Sequence, residues 1–264
     1  MFTKYKRRFQ SPVLDPLILS LLALLVWPCP SFAQFHTLKP GFESAELVEK
    51  TGFLPATLTV VRIDPVAWKI KVYRAPVSST ALDTCAATKS VTAINANFFG
   101  VDLQPLGLII SNSKKLHPLQ LGGRTLTGVL VVKQSKIQII HRDQYQSSDE
   151  IIQAVQAGPR LIADGQPILI PEDSPTRRSA IAIDSSGRIL LFATNDRIPG
   201  LTPRQLQKIL LRKELNIKDA LNLDGGSSSQ LYVSASIVGQ EINISGGDKV
   251  PVFFIVQEAQ SIGR

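Results

Sequence analysis

The residues of this chain best suited to chemistry lie in one stretch, Leu221-Asn222-Leu223-Asp224-Gly225-Gly226-Ser227-Ser228-Ser229-Gln230-Leu231-Tyr232-Val233. A carboxylate, paired glycines and a row of hydroxyls stand between two apolar runs, 220–223 and 231–233, which read as strands. Glycines let another molecule approach the main chain closely. Successive N–H groups in such a turn can form an anion-binding concavity. Taken alone, the same stretch also reads as a glycine-rich hairpin turn with an exposed aspartate.

Three further turns carry polar groups at strand ends. Asn95-Ala96-Asn97-Phe98-Phe99-Gly100 closes a short apolar strand over 91–95. Its amides both donate and accept, which suits sugar hydroxyls; the other reading is a turn whose Asn side chains bond their own backbone above a buried Phe pair. Arg177-Arg178 precedes an apolar run over 179–184, and Asn195-Asp196-Arg197 follows one over 189–194. An arginine at the mouth of a buried strand is either a solvated flank or a ligand clamp.

The elements that must position these groups are mostly strands. Runs at 57–63 and 68–73, joined by the turn-like Asp64-Pro65-Val66-Ala67, predict a hairpin. So do 128–132 with 137–141, the run ending in Asp164-Gly165 with 167–170, and 179–184 with 189–194. A strand is expected at 106–111 and a last one at 250–256. Three helices are expected: 81–88 capped by Thr80, 149–156 opened by the capping box Ser147-x-x-Glu150, and one from Thr202-Pro203-Arg204-Gln205 to about 214. Residues 34–55 read as a lead-in. These elements predict an α+β fold. It is a single domain over 34–264, with its core at 56–257, of mostly antiparallel or mixed twisted β-sheet with a few helices packed on it.

With 264 residues, 44% hydrophobic and 19% charged, the chain can bury a substantial core. Lys4, Lys6, Arg7 and Arg8, an apolar stretch over 13–27 and Ser31-Phe32-Ala33 make a secretory signal-peptide pattern over 1–33, cleaved before Gln34; the other reading, an uncleaved membrane anchor, has an apolar run short for a span. A secreted or periplasmic protein without a membrane span follows. Cys85 is then the one cysteine left, with no internal disulfide to make. The formal charge of +8 falls to +5 without the leader, mild enough to suit an anionic ligand without pointing to nucleic acid. His36, His117 and His141 are scattered, and no zinc, nucleophile-elbow, phosphate-loop or dinucleotide signature is present. No cofactor is expected; Ca²⁺ is the ion that an acid-and-carbonyl turn would suit. What remains are carboxylates, amides, hydroxyls and arginines, the tools of carbohydrate and phosphoester chemistry.

Asn95-Ala96-Asn97-Phe98-Phe99, Gly158-Pro159, Asp164-Gly165, Arg178-Ser179-Ala180-Ile181-Ala182 and Asn222-Leu223-Asp224-Gly225-Gly226-Ser227-Ser228 occur in that order. Together, over about residues 90–257, they resemble the phosphodiester glycosidase family. Two positions depart from its pattern: Asn97 and Ser227 stand where the family commonly has glycine. The resemblance implies a hydrolase acting where a sugar's anomeric carbon meets a phosphodiester. On this reading Asp224, or else Asp196, activates water or attacks the anomeric carbon. Arg178 clamps the departing phosphate through a bidentate fork, helped by the N–H groups of Gly225 and Gly226. Asn95, Asn97, Asn195 and Ser228 hold sugar hydroxyls or orient the acids. The rival reading is a non-catalytic envelope module that binds a glycan or an anionic cell-wall polymer with the same side chains.

Overall fold

The computed structural model describes residues 34–51, 54–134, 136–195 and 198–259. The expected signal segment and Asp196 lie outside the described residues. Every strand ladder among them is antiparallel. An eight-stranded sheet runs in the order His36–Lys39, Phe42–Lys50, Pro55–Ile63, Ile189–Thr194, Ser179–Asp184, Ile217–Asn222, Arg160–Ala163, Gln166–Pro167. A five-stranded sheet has the order Lys114–His117, Ile109–Ser111, Gln153–Ala157, Gly128–Val132, Ile137–His141. The other five-stranded sheet has the order Ile242–Ile244, Leu231–Val233, Thr92–Asn95, Val250–Glu258, Trp68–Ser79. The helices are few and short, so β-structure dominates more than an α+β label suggests.

Alternation along the central strands explains the layers. Ser179–Asp184 and Ile189–Thr194 are buried at every position. Ile181, Ile183, Ile189 and Leu191 face a core shared with Ile94, Ile109, Leu130 and Phe254 of the smaller sheets. Ala180, Ala182, Leu190 and Phe192 face the opposite way, against Leu206, Ile209 and Leu210 of the helix Pro203–Leu210. Successive side chains of a strand point to opposite faces, so a strand apolar at every position must be covered twice. The second short helix, Ala81–Thr88, covers the outer face of the Thr92–Asn95 sheet with Ala81 and Cys85. Cys85 is buried there, and burial pushes its thiol up to about 11.

Both helix caps form as the sequence predicts. Thr80 accepts from the N–H of Asp83, and Thr202 makes a full capping box with Gln205. The helix from Pro203 stops at Leu210, and a 3-10 turn over Lys213–Leu215 completes the run to Asn216 in the left-handed region. The Asp164-Gly165 turn takes φ of 47° and 76° at its two residues, as a tight hairpin requires.

Three expectations are corrected. The 34–55 stretch is more than a lead-in: His36–Lys39 and Phe42–Lys50 are strands of the eight-stranded sheet, and Phe42 and Leu47 are buried in the two cores, so the core begins before residue 56. Pro55–Ile63 does not pair with Trp68–Ser79. The first joins Phe42–Lys50 and Ile189–Thr194; the second joins Val250–Glu258 in another sheet. Leu58 and Val60 face one core while Val61 and Ile63 face the other, so this strand is central and the 64–67 turn carries the chain between layers. The helix expected at 149–156 is a strand, Gln153–Ala157, held between Ile109–Ser111 and Gly128–Val132. Its glutamines are buried and bonded. Gln156 Oε1 accepts from the N–H groups of Leu108 (3.1 Å) and Gln120 (2.8 Å), and Nε2 donates to Gln120 and Leu126 carbonyls. Tertiary pairing overrides local propensity here.

Candidate active site

Antiparallel register brings one end of the sheets together. Ser179 lies opposite Ala193 and Ala180 opposite Asn222, so the end of Ile189–Thr194, the start of Ser179–Asp184 and the end of Ile217–Asn222 share an edge. In the sheet of Thr92–Asn95, Ile94 lies opposite Leu231 and Asn95 opposite Phe253. The loop from Asp224 to Gln230 joins these two edges. The Asp224 N–H donates to the Ala96 carbonyl at 3.0 Å, and the Leu223 N–H to the Ser179 carbonyl at 2.9 Å.

Asn95 is the brace of this junction. It is 1% exposed. Its Oδ1 accepts from Ser179 Oγ at 2.8 Å and from the Gln230 N–H at 3.1 Å, while Nδ2 donates to the Asp224 carbonyl at 2.8 Å. One amide therefore ties three segments, and it faces protein rather than the cleft. Asn95→Ala would leave buried donors unpaired, so we expect a loss of about 2–3 kcal/mol, read by urea denaturation.

Asp224 itself is half-buried and enters no ion pair among the described residues. One oxygen, Oδ1, accepts from the Gly225 N–H at 2.9 Å, and Ser228 hydrogen-bonds the carboxyl. Burial outweighs these bonds and pushes its pKa up from 3.8 to about 6, with the charge of Asp248 adding in the same direction.

The two arginines are 5% exposed each, so neither is a solvated flank. The bidentate clamp expected of Arg178 is taken up by protein carbonyls. Its Nε donates to Leu201 O and its Nη2 to Ser174 O, both at 2.8 Å, with Asp173 3.4 Å from Nη2. Its Nη1 is turned to the Asp224 loop, 3.6 Å from where a Cβ on Gly225 would sit. Burial pushes the Arg178 pKa down, and Asp173 opposes that shift. Arg177 donates through Nη1 to the Ser245 carbonyl at 2.8 Å.

The glycines serve close packing rather than an open anion cradle. The Gly225 N–H goes to Asp224, and the Gly226 N–H to the Arg177 carbonyl at 2.9 Å. A Cβ on Gly225 would lie 3.0 Å from that same carbonyl, and Gly226 takes a φ of 61°. Beside them opens a cleft of about 220 Å³ lined by Thr176, Arg177, Gly226, Ser227 and Gly247.

The other expected residues divide. Ser228 joins the cluster as the hydroxyl partner of Asp224. Asn97 is 2% exposed with both amide atoms lacking a hydrogen-bond partner. Asn195 turns away: its Oδ1 accepts from the Thr59 N–H and hydroxyl, and its Nδ2 donates to Glu46 at 3.2 Å. That amide therefore caps the neighbouring strand instead of meeting Asp224. Among the described residues, no three His, Cys, Asp or Glu side chains converge as a metal-ligand group. No helix among them is long and apolar enough to cross a membrane.

Thr176, Gly247 and Asp248 were not among the residues the sequence singled out; Ser227 was, as a departure from the family's glycine. Their signal is Gly246-Gly247-Asp248, a second glycine–aspartate turn before an apolar strand, the reverse of Asp224-Gly225-Gly226.

The phosphodiester glycosidase family model matches residues 88–257. The protein YigE of Escherichia coli (strain K12) is 25% identical over 221 residues, covering 76% of this chain and 84% of its own. The catalytic domain of zebrafish N-acetylglucosamine-1-phosphodiester alpha-N-acetylglucosaminidase, auto-inhibited by its pro-peptide, superposes with a TM-score of 0.68 at 18% identity, over 86% of this chain and 87% of that one. A hypothetical protein from Synechocystis shares the fold at a TM-score of 0.62 and 19% identity, over 85% of this chain and 63% of that one. The family match spans most of the chain and contains the Asn95 brace, both arginines, Asp224 and the Gly247 turn: this chain belongs to the phosphodiester glycosidase family.

Proposed function

We propose that this protein is an exported hydrolase that cleaves the bond between a sugar's anomeric carbon and a phosphodiester oxygen. The observation that carries the reading is Asp224: a half-buried carboxyl in no ion pair among the described residues, pushed up to about 6 by burial, on a loop whose Gly226 and Ser227 line a cleft and whose Gly225 packs beside the buried Arg178 guanidinium. A carboxylate with that proton affinity is a competent general base near neutral pH. In the reaction, water adds to the anomeric carbon as Asp224 takes its proton. The carbon–oxygen bond breaks and its electron pair leaves on the phosphate oxygen. The departing group is a phosphomonoester whose charge is spread over its oxygens, so a nearby cation matters more than a proton donor. Arg178 Nη1 is the group that faces the Asp224 loop and can serve so.

The test is hydrolysis of sugar-1-phosphodiesters by the mature protein in ¹⁸O-labelled water. The expected products are a free sugar carrying the label at its anomeric oxygen and an unlabelled phosphomonoester. Label in the phosphate would mean phosphorus–oxygen cleavage and sink the mechanism. Tight binding without turnover would favour a glycan- or polymer-binding module.

A further inference from the structure

A second loop is bolted to the Asp224 loop, and its carboxylate has no part in the reaction as written above. Ser227 Oγ is hydrogen-bonded to Asp248 Oδ2. The Ser227 carbonyl accepts from the N–H groups of Gly247 at 2.7 Å and Asp248 at 3.0 Å. Gln230 Nε2 bridges the carbonyls of Ser228 (3.3 Å) and Asp248 (3.2 Å), and Arg177 holds the same loop through Ser245. Gly246 and Gly247 let the loops close: a Cβ on either would lie 3.1 Å from Ser227 atoms. Seven residues that could wander are thus pinned from both sides, with Asp248 exposed at the rim of the cleft that Gly247 lines.

We propose that Asp248 is a positioning residue for Asp224, acting through its bond to Ser227 and through its own negative charge. The inference rests on the assignment of Asp224 as the base. The charged groups on the elements packed against the Asp224 loop are Asp173, Arg177 and Arg178 on one side and Asp248 and Lys249 on the other. Among them it is Asp248 whose charge bears on the Asp224 carboxyl, disfavouring its ionised form. A like charge nearby makes a carboxylate a stronger base. The tether keeps that charge at a fixed distance, so the base strength of Asp224 does not drift with loop motion.

The experiment separates charge from tether. Asp248→Asn keeps a hydrogen-bonding side chain for Ser227 and removes the charge. The Asp224 midpoint, followed by ¹³Cγ NMR titration, should fall by roughly half a pH unit. The acidic limb of kcat/KM should move down with it. Ser227→Ala removes only the side-chain bond to Asp248, while the Gly247 and Asp248 N–H groups still hold the Ser227 carbonyl, so the midpoint should move the same way by less, and kcat should drop modestly. An unmoved Asp224 midpoint in Asp248→Asn overturns the proposal. The NMR readout needs no turnover, so an inactive wild type would sink the hydrolase reading without touching the coupling.

Discussion

Asp224→Asn is expected to abolish hydrolysis and at the same time make the protein more stable at neutral and alkaline pH. The two effects have one cause. Burial disfavours the ionised carboxylate, raising its pKa from 3.8 to about 6. Between those values the folded chain holds a proton that the unfolded chain has released. The stabilising contribution of Asp224 is therefore full below 3.8, declines as pH rises, and is lost above about 6. Asparagine carries no charge at any pH and still accepts from the Gly225 N–H, so it escapes this penalty. Allowing for solvent screening of a half-buried group, the variant should gain up to about 2 kcal/mol at alkaline pH and little in acid. Loss of a general base should lower kcat by about 10²–10⁴-fold. Urea melts at several pH values alongside turnover check both. A variant that is destabilised at every pH would remove Asp224 from the set of groups held under electrostatic tension.

Gly200→Ala should be the most damaging single methyl group that can be added near the cleft. A Cβ at Gly200 would lie 2.4 Å from both Thr176 N and Thr176 Cα, inside any tolerable contact, and the obstacle is backbone. The two segments cannot part without cost. The Thr176 and Leu201 backbones bond each other in both directions, at 3.2 and 2.8 Å, and Leu201 O also accepts from Arg178 Nε. Moving Thr176 shifts one wall of the cleft and frees the anchor of the guanidinium. We expect more than about 3 kcal/mol of destabilisation, and a fall in kcat in whatever fraction stays folded. Gly187→Ala is the control. That turn has open space around its Cβ position, so only the positive φ of 82° resists, and the expected loss is about 1 kcal/mol. Equal melting temperatures for the two variants would refute the packing argument.

Local chemistry was legible where local interactions decide. Thr80 and Thr202 fixed helix starts because a cap is a contact between residues three apart. Asp164-Gly165 fixed a hairpin because only certain residues accept positive φ at both turn positions. The double-sided burial of 179–184 and 189–194 followed from unbroken apolar runs. What escaped was whatever depends on partners distant in the chain. Gln153 and Gln156 look like surface residues until the strands that satisfy them are present. The 57–63 run looks like half a hairpin until its second apolar face is assigned to another layer. In the site, Asp224 and Arg178 were visible as residue types, but their partners were not. The arginine fork meets carbonyls of Ser174 and Leu201, and a backbone carbonyl has no signature in a sequence. Asp248 was passed over because its importance lies in proximity to Ser227, 21 residues away.

The buried thiol of Cys85 has one more consequence. Its helix begins at Ala81, whose N–H donates to Gln230 Oε1 at 2.7 Å, and the amide nitrogen of that same glutamine holds the Ser228 and Asp248 carbonyls. A chain of hydrogen bonds thus links the start of the Cys85 helix to the Asp224 loop. Because the thiol is both shielded and reluctant to ionise, alkylating reagents should reach it only when this helix lifts from the sheet beneath it. The molecule carries its own alarm: the rate at which Cys85 becomes labelled should report how often that helix opens.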